Sequence, residues 1–350
     1  MAMPGKYYGG AGIVTDKPVR YYSLEDNGYK RCLVCPHHCR LKEGQRGICR
    51  VRMNQEGQLL ATNYGEFSAL ALDPIEKKPL YHFYPGSLIL SAGSFGCNLS
   101  CPFCQNYHIA HQMPATRYIS PDELVEINLA CWAQGSIGMA FTYNEPVMWL
   151  EYIMDAAPLL QEQGFKVVMV SNGYIETRPL QDLLGWVDAF NIDLKGFSER
   201  YYQRMCMGKL AAVQETLTTI AARAHLEVTN LLIPGENDRE DEIRDMCCWL
   251  AKLDPEMVLH FSAYHPAYKM NLPPTSGETL RRAADIAHEY LKHVYLGNLP
   301  GEANDSLCPD CGQVLISRTG YKVEKPGLEQ GRCKNCGKDI PFLIEFAARP

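Results

Sequence analysis

The sequence predicts an α/β protein: a partial (β/α)6-type TIM-like barrel, with an N-terminal cysteine-rich segment and a C-terminal zinc-ribbon or rubredoxin-like knuckle. Three observations predict this. Apolar β-type runs alternate with helical patterns between residues 86 and 298. Polar breaks follow the strand runs, each at the same end. Eleven of the fifteen cysteines fall into three tight clusters, before, inside and after the alternating zone.

The chain divides accordingly into an N-terminal four-cysteine metal-binding segment (1–85), the alternating zone (86–298) and a C-terminal four-cysteine module with a weakly patterned tail (299–350). The first segment reads as irregular. Strands are expected at 87–94, 136–142, 166–171, 188–194, 226–233, 257–263 and 293–297. Helices are expected at 121–134, 146–163, 177–185, 198–223, 239–253 and 277–291. Ser120-Pro121-Asp122-Glu123 combines a cap, a first-turn proline and early acids. Alternation at this spacing implies parallel strands joined by right-handed crossovers. Six or seven units suit a full or partial barrel, whose chemistry collects at the C-terminal strand ends. The polar breaks sit there: Gly96-Cys97, Asn144-Glu145-Pro146, Asn172-Gly173, Asp193 with Lys195, Pro234-Gly235 and Tyr264-His265-Pro266.

Of 350 residues, 46% are hydrophobic, enough for a large core, and the formal net charge is -6. That acidic balance gives no global sign of a nucleic-acid or acidic-membrane partner. Seven Lys/Arg face one acid between residues 30 and 52, a local bias. The N-terminus MAMPGKYYGGAG has no apolar core of a signal peptide. No apolar run approaches the roughly 20 residues that cross a bilayer. A soluble, cytoplasmic protein is expected. There, clustered cysteines read as metal sites in preference to disulfides, in an anaerobic or well-reduced setting.

The central cluster, GCNLSCPFCQNY, places Cys97, Cys101 and Cys104 in C-x3-C-x2-C spacing after the first strand. A [4Fe–4S] cube takes one thiolate per iron, so three ligands leave one iron open, the mark of a reactive site. Spacing alone also admits zinc with a remote ligand such as His108 or His111. This motif, with Phe103 before its last cysteine, resembles the radical S-adenosylmethionine (SAM) superfamily. The resemblance implies that the open iron binds SAM and that one-electron cleavage yields methionine and a 5′-deoxyadenosyl radical, which abstracts a hydrogen atom.

Further motifs extend it. Tyr143-Asn144-Glu145-Pro146 stands where the superfamily usually has Gly-Gly-Glu-Pro, departing at the glycines and keeping Glu145. Asn191-Ile192-Asp193-Leu194-Lys195, the turn from Leu232 to Asp238 and Tyr264-His265 resemble elements of pyruvate formate-lyase activating enzyme and related glycyl-radical activases. The resemblance makes Glu145, Asp193, Lys195 and His265 cofactor-side candidates, and the chemistry of SAM adds Asn172. Glu145 suits the SAM ammonium, Lys195 the carboxylate, and Asn172 or His265 the ribose or adenine. Asp193 and Lys195 could equally form a barrel-mouth ion pair, and His265 could be a core histidine. CLVCPHHC, DPIEKKPLYHF, HPAYKM and the terminal CPDCG and CKNCG together resemble the radical SAM member of the AmmeMemoRadiSam group. That resemblance implies association with AMMECR-type or Memo-type proteins and an electron donor such as flavodoxin or ferredoxin.

Cys32, Cys35, Cys39 and Cys49 could close a zinc site or an auxiliary [4Fe–4S] cluster. Three of them with His37 or His38 is another set. The surrounding cations would stabilise either anionic centre. Cys308, Cys311, Cys333 and Cys336 pair as knuckles across a hairpin-like stretch, reading as zinc first and rubredoxin-type iron second. Cys131, Cys206, Cys247 and Cys248 fall in helical patterns and read as buried thiols. The leading function is hydrogen-atom abstraction, from a glycine or other residue of a protein partner. The alternatives are modification of a small metabolite and, in a different class, a metal-stabilised protein- or nucleic-acid-binding module.

Overall fold

The computed structural model describes residues 16–302 and 304–343. The polar N-terminus and most of the terminal tail lie outside the described residues. At its centre is an eight-stranded sheet. Its strands are β1 (Ala69–Pro74), β2 (Leu88–Gly93), β3 (Ser136–Phe141), β4 (Lys166–Ser171), β5 (Ala189–Asp193), β6 (His225–Leu232), β7 (Val258–Ala263) and β8 (His293–Gly297). They lie in chain order, β2 to β8 all parallel, with β1 antiparallel to β2 at the edge. Every residue of β3 is buried, as are most of β4, β6 and β7, because helices cover one face and the interior fills the other. Those helices are α1 (Pro121–Trp132), α2 (Leu150–Glu162), α3 (Thr177–Leu183), α4 (Leu210–Ala221), α5 (Glu240–Leu253) and α6 (Gly277–His288). Ser120 caps α1 by accepting from the Glu123 amide at 3.1 Å, as its sequence indicates.

The full barrel is not formed: among the described residues the edge strands β1 and β8 do not pair. The sheet nevertheless curls. Six interstrand steps would set the ends of β2 and β8 about 29 Å apart in a flat sheet. Yet Cys97, after β2, and Asn298, after β8, line the same cavity.

Two expectations need correction. The described part of the first segment, residues 16–85, is not irregular. Its strand β1 belongs to the central sheet, and its apolar residues (Val34, Leu41, Val51, Leu59) join the main core. The helix expected over 198–223 is broken. A short turn at Glu199–Tyr201 runs into a π-helix, Tyr202–Cys206, which ends at Met207 with φ of 57°. The Ser100 amide donates to the Cys206 carbonyl at 3.0 Å, so the break docks onto the central cysteine loop. Among the described residues no helix is long and apolar enough to cross a membrane.

The inner face of the sheet is polar in layers of period two. Asn191 and Asp193, Glu227 and Thr229, and His260 and Ser262 share it. The lower members grip the segment between β1 and β2. Asn191 Nδ2 donates to the Pro79 carbonyl at 2.8 Å, while the Tyr81 and His82 amides donate to the two Glu227 oxygens at 2.9 and 2.8 Å. That segment forms the floor of the interior.

Candidate functional site

A cavity of about 340 Å³ opens at the C-terminal ends of the parallel strands. Cys97, Cys101 and Cys104 line it, with Glu145, Asn172, Asp193 and Lys195. The structure therefore brings together all the expected central residues except His265. His265 is exposed and absent from the cavity lining. Its neighbour Tyr264 is buried, its hydroxyl donating to the Met270 carbonyl at 3.0 Å and its amide to Thr275 at 3.0 Å. With Tyr264 anchored inward, the next residue turns out to solvent.

The cysteine loop is held from several sides. Asn144 accepts from the Ser94 amide at 2.9 Å and donates to the Gly96 carbonyl at 3.0 Å. Asn172 donates to Asn98 Oδ1 at 2.9 Å, sits 3.7 Å from Cys97 Sγ and accepts from the Tyr174 amide at 2.8 Å. Its amide is thus engaged with the loop. The Leu99 amide points at Cys97 Sγ, 3.4 Å away.

Glu145 is buried. Its Oε1 accepts from the Val147 amide at 3.0 Å and the Ser171 hydroxyl at 2.7 Å, and its Oε2 from the Asn172 amide at 2.8 Å. Burial raises its pKa to about 7, against the pull of those donors. Three of a carboxylate's roughly four acceptor directions are occupied, leaving one for a ligand. Lys195 Nζ lies 2.9 Å from Asp193 Oδ2, the strand-end ion pair that the sequence allowed. Burial opposes its charge, but the Asp193 carboxylate outweighs it and holds its pKa well above the ordinary value.

Burial pushes the Cys97 thiol far up. For Cys101 a hydrogen bond with Cys206 leads and burial follows. Without a cation these thiols stay protonated, whereas a coordinated thiol is deprotonated outright. One buried thiol and two half-buried ones facing a cavity with polar walls fit an iron–sulfur centre better than they fit a structural core.

Sequence reasoning missed the floor of the site. Lys77 and Lys78 line the cavity from below and bind Asp73 Oδ1 and Oδ2, each at 2.9 Å; the Tyr143 hydroxyl donates to Oδ2 at 2.6 Å. The available signal was the twin lysine of DPIEKKPLYHF, four and five residues after Asp73. Burial alone would raise the Asp73 pKa, but Tyr143, Lys78 and Lys77 bring it to about 2. A depressed acid stabilises the fold above its unfolded pKa. This contribution, roughly 2 kcal/mol, is complete above about pH 4 and fades as the pH falls towards about 2. Asp73→Asn is expected to lower the unfolding free energy by about 3–5 kcal/mol at neutral pH, because Lys78 is left buried without its carboxylate. Urea unfolding of the two proteins checks this; equal stability would contradict it.

The flanking cysteines form two further groups. Cys32, Cys35, Cys39 and Cys49 surround a hollow beside the main cavity. Cys308, Cys311, Cys333 and Cys336 gather their sulfurs within 4.8 Å of one another, on knuckles where the Gly312 and Gly337 amides donate to the Cys308 and Cys333 carbonyls. The hairpin Val314–Thr319 with Lys322–Glu324 lies between those knuckles, as expected.

Residues 93–247 match the Radical SAM superfamily. The chain is 41% identical over 335 residues to the uncharacterized protein MJ0808 of Methanocaldococcus jannaschii, covering 93% of this chain and 98% of that one. It is 23% identical over 220 residues to MJ1227 of the same organism, provisionally named a glycyl-radical enzyme activating enzyme, covering 59% of this chain and 88% of that one. A solved domain of pyruvate-formate lyase-activating enzyme from Bacteroides vulgatus superposes with a TM-score of 0.41 at 22% identity, over 45% of this chain and 98% of that one.

Proposed function

This chain belongs to one family with the MJ0808 protein and carries a radical SAM superfamily domain, and from that premise we propose an enzyme that binds a [4Fe–4S] cluster on Cys97, Cys101 and Cys104 and uses it with SAM. The observation that carries the proposal is the convergence of these three thiols on a cavity lined from every parallel strand end. Cluster and SAM together supply one-electron cleavage and hydrogen-atom abstraction. The chain's own residues bind and orient. Lys195, held protonated, offers a cation to the SAM carboxylate, with Asp193 fixing its position. Glu145 offers its remaining acceptor direction to the ammonium. Asn172 orients the cysteine loop. The floor segment closes the interior against water.

We read the target as a residue of a protein partner; the likeness to MJ1227 supports this, and a small metabolite is the other reading. The twin lysines at the floor favour a target that brings negative charge. A cytoplasmic flavodoxin or ferredoxin suits the electron donor, and AMMECR-type or Memo-type proteins are the partners to test.

The C-terminal quartet we assign to zinc. Cys308 Sγ lies 3.6 Å from Cys336 Sγ, and Cys311 Sγ 3.6 Å from Cys333 Sγ. One tetrahedral zinc with bonds of about 2.3 Å requires sulfurs about 3.8 Å apart. Cys308→Ala is expected to lose roughly one zinc per chain and no iron, checked by elemental analysis. Iron lost in place of zinc would contradict this.

The test of function is anaerobic reconstitution followed by dithionite and SAM. 5′-Deoxyadenosine is the expected product; its absence from protein shown to contain iron and sulfide would overturn the proposal.

A further inference from the structure

We propose that Cys32, Cys35, Cys39 and Cys49 hold a second [4Fe–4S] cluster, closed by four thiolates, in place of zinc. The hollow that the four thiols surround is also lined by Arg52, Gly47 and Asn98. Three observations carry the assignment.

The first is sulfur spacing. Among the described residues, the C-terminal quartet is the group whose sulfurs all lie within 4.8 Å of one another; no three of the N-terminal sulfurs do so. A single tetrahedral ion needs sulfurs about 3.8 Å apart. A cube holds them further apart, since each thiolate binds a different iron. The central triplet is open in the same way. One chain thus contains a tight quartet suited to one ion, and a wider quartet around a hollow.

The second is Arg52. Its side chain is buried, 1% exposed, and lines the hollow. Nη1 forms an ion pair with Glu151 Oε2 at 2.7 Å. Nε and Nη2 have no acceptor among the described residues. Buried donors without acceptors are costly, about 1–3 kcal/mol each. The thiolates and sulfides of an anionic cube supply acceptors at that wall. Zinc-bound thiolates accept hydrogen bonds too, but a cube adds bridging sulfides and so presents more acceptors at that wall.

The third is enclosure. Cys32, Cys35 and Cys49 are buried. Gly96, with φ of 89°, abuts the Cys49 carbonyl; a Cβ there would lie 2.7 Å from that oxygen. His37 Nε2 contacts the Asn98 carbonyl at 2.7 Å. The quartet is therefore seated against the backbone flanking Cys97.

The test uses the full-length protein, reconstituted anaerobically, with iron, sulfide and zinc counted per chain and Mössbauer and EPR spectra recorded. Wild type is expected to hold roughly eight irons. The triple variant Cys97→Ala/Cys101→Ala/Cys104→Ala should retain half of them, as a cluster whose EPR signal SAM does not change. Cys32→Ala/Cys39→Ala should retain the other half, with the SAM-sensitive signal. The triple variant leaves the N-terminal quartet intact, so the result does not depend on the quartet variant folding. Zinc without iron in the triple variant overturns the inference, as does a triple variant with neither metal. Iron in the triple variant but none in Cys32→Ala/Cys39→Ala supports the second cluster while refuting the central one.

Discussion

Alanine at Cys97, Cys101 or Cys104 is expected to reduce 5′-deoxyadenosine formation to the level of the enzyme-free control. In the proposed site each thiol would hold a different iron of the cube, so losing any one would leave two anchors on a single loop. Among the described residues no further cysteine lines the cavity; beside amides, hydroxyls, carboxylates, lysines and apolar side chains, His111 is the one other side chain there able to ligate iron, and a single imidazole does not replace a thiolate. The nearby Cys206 thiol sits against Cys101, on the far wall of the loop. Iron content should fall with activity. Cys247→Ala is the control, because that thiol is buried in α5, away from the cavity lining. Product formation surviving in all three cavity variants would refute the central site.

The second large effect concerns folding. Glu227 is fully buried and accepts four hydrogen bonds. They come from the Tyr81 and His82 amides, His225 Nε2 at 3.0 Å and His260 Nε2 at 2.6 Å. Burial opposes its charge, yet His225 and His260 outweigh that and hold its pKa well below the ordinary range. Glu227→Ala is expected to cost about 3–5 kcal/mol of stability, because four buried donors lose their acceptor together. It should also loosen the floor, which would lose both backbone anchors at Tyr81 and His82 and keep the bonds from Asn191 to the Pro79 carbonyl, from Arg318 to the Tyr81 carbonyl and between His82 and Tyr295. Thermal unfolding measures the first effect, and hydrogen exchange at residues 77–82 the second. An unchanged melting temperature would contradict the role given to this carboxylate.

Much of this architecture was legible in the sequence. The seven parallel strands were readable because their apolar runs are bounded by polar breaks. The cysteine loop was readable because ligand spacing is local. What escaped was non-local. Strand β1 lies at the sheet edge with intermediate burial, so its pattern is weak. The break at Met207 is imposed by docking onto the cysteine loop, which helical periodicity does not record. The floor was missed because Asn191, Glu227 and His260 read simply as strand residues. Polar side chains at alternate positions in otherwise apolar strands were the signal that the interior encloses another segment. His265 was misplaced for a related reason: a histidine after a strand end carries no record of which way the loop turns.

The most direct test of the central claim is the EPR spectrum of the dithionite-reduced, reconstituted protein before and after adding SAM. The account predicts a reduced-cluster signal with a component that changes on SAM addition and is missing from Cys101→Ala. A signal indifferent to SAM, or a central triplet filled by zinc with no signal of its own, would contradict it.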